Sequence, residues 1–148
     1  MPSTERAILD DVTQALACGG LFAETRAAAG ASAAGAGNGV PRATVMLQGR
    51  DVLAGDDSAD ALWVRLRLRV VIHDRADDVA DAAARVADLC SAAGAALLSD
   101  PYRSGLCSDL PVGRATELGA TDPVDIRQPE VEVGLTVRCH FETQEGSP

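Results

Sequence analysis

The sequence predicts an α+β fold: a mostly antiparallel sheet of about four strands, packed against an N-terminal helix and one long central helix. Three observations carry this expectation. Residues 62–74, LWVRLRLRVVIHD, alternate apolar and polar side chains with a period of two, as a half-buried strand does. Residues 130–142, EVEVGLTVRCHFE, do the same. Between them Val79, Ala82, Ala83, Val86, Leu89, Cys90, Ala93 and Leu97 recur at helical spacing, which predicts a helix over about 76–98.

Composition narrows the class. At 148 residues the whole chain, 1–148, is expected to be one domain with a proper core. Apolar residues make up 47% but aromatics only 3%, so alanine, valine and leucine must do the packing. The formal charge is −9 and lysine is absent. That balance argues against broad nucleic-acid binding, because phosphate neutralisation needs a basic surface. No sequence-specific nucleic-acid partner is expected either. No apolar run approaches the roughly 20 residues of a membrane span, and no secretory signal is visible. The default compartment is the cytosol.

The elements follow in order. Ser3 or Thr4 caps a helix over 3–18, with Glu5 in its first turn and Ile8, Val12, Ala15 and Leu16 as its apolar stripe. Gly19-Gly20 stops it. Residues 26–41, RAAAGASAAGAGNGVP, have side chains too small to bury much area, and 27–39 are expected to form a mobile loop. The glycine spacing fits no phosphate-binding loop and no lysine follows. A second strand is expected around 43–48, joined to the arginine strand as an antiparallel hairpin by the acidic, mobile segment 54–60. Asp74 is the expected N-cap of the central helix, with Asp77 and Asp78 in its first turn and Asp81–Arg85 as an i,i+4 pair. Ser99-Asp100-Pro101 ends it. A short strand is expected near 112–118, with Pro111, Gly119 and Asp122-Pro123 as punctuation. After the final strand, 144–148 form a disordered tail.

Under the strand reading, Arg65, Arg67 and Arg69 share the face opposite Leu62, Val64, Leu66, Leu68, Val70 and Ile72. Two answers account for three arginines there in an acidic chain. If the last strand lies alongside, Glu130 and Glu132 oppose them across the ladder. Alternatively the face docks an acidic partner or an identical subunit. The acidic helix residues Asp77, Asp78, Asp81 and Asp88 are either a solvated outer face or the surface that meets those arginines in the next copy. Arg65, Arg67, Arg69, Asp77, Asp78 and Asp81 are therefore the candidate interface residues.

No catalytic constellation emerges, so no enzymatic activity and no cofactor are expected. Cys18, Cys90, Cys107 and Cys139 form no C-x-x-C pair and are expected to be reduced thiols without a structural metal. His73 and His140 read as ordinary surface histidines.

Three stretches carry a family resemblance: VRLRLRVVIHDRADD running directly into an alanine-rich helix, LLSDPYRSGLCSDL where that helix closes, and the terminal PEVEVGLTVRCHFET. Together they resemble the tail terminator, or tail-completion, proteins of long-tailed bacteriophages and prophages. The resemblance implies an α+β fold, a mixed or antiparallel sheet covered by helices. It implies a structural virion protein that forms a ring, commonly a hexamer, on the tail tube protein and faces the head–tail connector. It places the chain in the virion tail, and in the host cytoplasm during assembly. The glycine/alanine-rich loop departs from a compact version of the pattern. A small ferredoxin-like ligand-binding or enzyme domain, and a related head–tail joining or minor tail component, are the alternative readings.

Overall fold

Alternation in the arginine-rich segment places Val64, Leu66, Leu68, Val70 and Ile72 on one side, and all five are fully buried. The computed structural model describes residues 3–28, 39–53, 61–111 and 113–144. The elements run α1 (Thr4–Cys18), β1 (Glu24–Ala28), β2 (Arg42–Val52), β3 (Ala61–Arg75), α2 (Val79–Leu98), β4 (Thr116–Arg127) and β5 (Glu130–Gln144). The chain is α+β.

The sheet has five strands rather than about four, in the order β1-β2-β3-β5-β4. β1 pairs with β2 in parallel, and every other pairing is antiparallel. β1 is the strand the sequence did not announce. Its residues ETRAA carry no apolar alternation, and the β2 ladder makes them a strand. Residues 27 and 28, expected in a mobile loop, therefore belong to β1. The rest of that loop to residue 38, the 54–60 connection and residues 145–148 lie outside the described residues. Gln144, expected in the tail, ends β5.

The expected 112–118 strand is displaced and extended as β4. Gly119 and Pro123 do not end it. Register shifts between Leu118 and Thr121 and between Pro123 and Asp125 absorb the irregular residues as bulges. An edge strand tolerates a proline because its outer side needs no ladder donor.

Both helices pack on the apolar side of the sheet. Ser3 caps α1, accepting from the Arg6 N–H at 3.1 Å, and Ile8, Val12 and Leu16 are buried. α2 buries Ala82, Val86, Cys90, Ala93, Gly94 and Leu97. Gly94 allows the close approach: a Cβ there would lie 2.8 Å from Leu118 Cδ1. Asp74 does not cap α2. Residues 74 and 75 remain in the β3–β5 ladder, opposite Val131 and Glu130, so the helix cannot start there. Asp78 is the N-cap, its Oδ1 accepting from the Asp81 N–H at 2.8 Å. Asp74 is instead buried, and it takes Arg85 at 2.9 Å, the cation expected for Asp81.

The end of α2 is tied by an arginine that sequence patterning does not single out. Arg103 has a left-handed backbone, φ 49°, and is 1% exposed. Its guanidinium donates to the Leu97 carbonyl at 2.6 Å and to the Asp100 carbonyl, and lies 3.2 Å from Asp11 on α1. One planar fork thus satisfies carbonyls at the helix terminus and joins the two helices. Replacing Arg103 with Met should destabilise the chain by about 3 kcal/mol, because Asp11 and the carbonyls lose a buried charged donor. Arg103→Lys should restore only a minor part, since one ammonium cannot span the fork. Urea denaturation checks both; equal stability of Arg103→Met and the parent would refute the assignment.

Candidate functional site

The side of the sheet away from the helices is built from the polar positions of the same alternation. Strand register brings Arg65, Arg67 and Arg69 together there, as expected, and adds residues from every other strand. From β1 come Glu24 and Arg26, and from β2 Arg42 and Asp51. From β5 come Glu130, Glu132, Arg138 and Glu142, and from β4 Glu117, Asp122, Asp125 and Arg127. With Arg75 at the end of β3, the face holds, among the described residues, eight of the chain's 13 arginines and eight of its 22 carboxylates. These described charges balance.

Glu130 and Glu132 do not oppose the three arginines. β5 runs antiparallel to β3, so its acidic start meets the far end of β3: Glu130 faces Arg75 and Glu132 faces His73. Arg69 faces Thr136, Arg67 faces Arg138 and Arg65 faces His140. The like pair Arg67–Arg138 is relieved sideways. Arg67 leans over Gly49 of β2, where a Cβ would lie 2.6 Å from its Nη2, and its Nε lies 3.0 Å from Asp51. Arg138 has Glu117 as its β4 neighbour. Arg69 leans the other way over Gly134 of β5, where a Cβ would lie 2.5 Å from Nη2, and donates to Asp122 on β4 at 2.6 Å. Two glycines thus clear the space in which guanidiniums lie flat across the sheet. An isolated glycine inside a strand pattern is the signal that could have revealed this.

Both histidines are buried rather than on the surface. His140 is 0% exposed; its Nε2 accepts from Arg65 Nε at 3.1 Å, and its Nδ1 donates to the Arg114 carbonyl at 2.8 Å. The tautomer that satisfies both contacts carries hydrogen on Nδ1. His73 Nδ1 meets Arg42 Nη2 at 2.7 Å and lies 3.6 Å from Glu132, while its Nε2 lies 3.8 Å from Glu130. A hydrogen bond from Arg75 holds the Glu130 carboxyl below the usual carboxylate range.

Asp77, Asp78 and Asp81 gather at the exposed N-terminus of α2. α2 covers the apolar side, so these acids sit on the opposite side of the sheet from Arg65, Arg67 and Arg69 and cannot pair with them within one chain. The acids complement the positive end of the helix dipole.

Among the described residues no group of three or more His, Cys, Asp or Glu is placed to hold a metal ion, and no helix is long and apolar enough to cross a membrane. Cys18 is exposed, while Cys90, Cys107 and Cys139 are buried. A hydrogen bond with Cys139, together with burial, pushes the Cys107 thiol well above its ordinary range. What the open face offers chemically is ionic and planar hydrogen bonding.

Arg65 and Arg67 should behave differently. Arg65→Ala leaves buried His140 without its donor and should cost about 1–2 kcal/mol in urea denaturation. Arg67→Ala removes a half-exposed pair and should change stability by less than about 0.5 kcal/mol. Equal effects would refute the contrast. An aromatic disulfide reagent should titrate Cys18 rapidly in the native chain and the buried thiols only on unfolding; rapid native reaction of Cys90, Cys107 or Cys139 would contradict their burial.

No protein-family model and no curated protein matches the chain.

Proposed function

We propose that the chain is a non-enzymatic structural protein of a long-tailed bacteriophage or prophage, of the tail terminator type. In this reading copies close into a ring, a hexamer by resemblance. The ring caps the tail tube, ends its polymerisation and offers a surface to the head–tail connector. The protein then resides in the virion tail, and in the host cytoplasm during assembly.

The observation that carries this reading is the helix-free face of the sheet. Its described charges balance, and Arg67 and Arg69 are laid down on glycine clearings. Such a surface suits a protein partner met in one register. The arrangement of the three stretches behind the resemblance adds support. β3 runs into α2, the SDPYRSGL turn closes α2 through Arg103, and β5 lies beside β3. The element order α-β-β-β-α-β-β differs from the β-α-β-β-α-β order of a ferredoxin-like domain, which disfavours the ligand-binding alternative.

Negative-stain electron microscopy of the purified chain, alone and with uncapped tail tubes, tests the proposal. Rings that bind tube ends and arrest tube growth are expected. A chain that neither closes into rings nor alters tube length would overturn it. Reversing Arg67 and Arg69 to Glu should leave the subunit folded by circular dichroism and weaken tube capping about tenfold, since both side chains lie on the open face. Undiminished capping by the folded double variant would remove the arginine face from the contact.

A further inference from the structure

Both edges of the sheet carry the same charge motif at spacing two on the open face. β1 has Glu24 and Arg26, 3.9 Å apart, and β4 has Asp125 and Arg127, 2.9 Å apart. We propose that β4 of one copy pairs antiparallel with β1 of the next, in the register Glu24·Arg127, Thr25·Ile126 and Arg26·Asp125, and that this junction closes the ring. The inference rests on the ring reading and specifies its subunit contact.

Three independent features favour this pairing. Strand direction is the first. β1 runs parallel to β2, while the β2–β3, β3–β5 and β5–β4 pairings are all antiparallel, so β1 and β4 run in opposite directions. Copies related by rotation about an axis along the strands therefore bring these edges together antiparallel. Such a contact joins two different patches and is the kind that closes rings. Charge order is the second. Antiparallel apposition sets each arginine against a carboxylate of the next copy. Parallel apposition in the same span would set Arg26 against Arg127 and Glu24 against Asp125. Apolar fit is the third. Ile126 and Val124 are 58% and 44% exposed on β4. Ile126 pairs with core residue Val131, so its side chain points to the helix side of the sheet. Beside β1 on that same side lies a cavity of about 470 Å³ whose apolar lining is Leu9, Ala27, Ala28 and Leu47, with Ser3, Glu5 and Arg6 completing it. In the proposed register Ile126 sits opposite Thr25 on the same side of the sheet, and Val124 falls opposite exposed Ala27, which lines that cavity. Pro123 offers no N–H. It lies at the bulge between Pro123 and Asp125, where β4 loses its alternation, so it bounds the new ladder instead of interrupting it.

The test uses the full chain with exposed Cys18 replaced by Ala, and carries Thr25→Cys or Ile126→Cys. An equimolar mixture of the two chains, oxidised with diamide, should give cross-linked dimers. Either chain alone should give none, and the doubly substituted chain should give a ladder ending at the closed ring. Cross-linking of a single variant alone would replace the proposal with a two-fold β1·β1 or β4·β4 contact. Multi-angle light scattering of the same reduced samples separates the two readings. Assembled chains that do not cross-link sink the edge register and leave the ring reading standing. Monomeric chains sink both, and cross-linked open filaments that fail to cap tubes sink the functional reading alone. Charge exchange gives a second, non-covalent measure. Arg26→Glu should raise the concentration for half-assembly about tenfold, and adding Asp125→Arg should bring it back to within about threefold of the parent. Failure of the second change to restore assembly would overturn the register.

Discussion

The structure depends on the uninterrupted ladder between β3 and β5. It runs without a register shift over the 15 residues of β3, from Ala61 opposite Gln144 to Arg75 opposite Glu130. A slip of one residue would turn Val64, Leu66, Leu68, Val70 and Ile72 outward and bring the arginines into the core, a penalty far above the stability of a small domain. Everything else is placed by that register. It keeps Asp74 in the sheet, delays the start of α2 to Asp78, sets His140 beside Arg65, and puts Gly134 where Arg69 can lie across it.

Around this ladder the two sides of the sheet solve different problems. The apolar side is closed by two helices of small and medium side chains, with Gly94 allowing α2 to sit against Leu118. Few aromatics are needed because the helices approach closely and shape, rather than bulk, fills the space. Among the described residues no helix covers the polar side, and its charged side chains pair with one another. Its guanidiniums turn sideways onto glycines and meet carboxylates one or two strands away. Local neutrality among the described residues of that side keeps the long-range repulsion of an acidic chain away from it.

The connection after α2 shows the same economy. Arg103 is buried where α2 ends, and it answers helix-end carbonyls and an α1 carboxylate at once. A buried charge persists there because its donors are matched by acceptors in one plane. The left-handed run Arg103-Ser104-Gly105 turns the chain toward the edge strand β4.

By itself the sequence determined the fold class, the faces of β3 and β5, and the body of both helices, because these depend on side-chain periodicity and nothing else. Ile8, Val12, Val86 and Leu97 are buried where their spacing put them. Grouping Arg65, Arg67 and Arg69 on one face was legible for the same reason. Tertiary structure decided what periodicity cannot express. β1 has no pattern of its own and exists because β2 offers a ladder. β4 passes through a glycine and a proline because it is an edge with bulges. Which carboxylate meets which arginine follows from register and from two glycine clearings, so Asp51 and Asp122, not Glu130 and Glu132, hold Arg67 and Arg69. The histidines became interior groups for a similar reason: a polar residue on a strand is exposed only until its neighbours on the adjacent strands lean over it, and those neighbours are fixed by the fold.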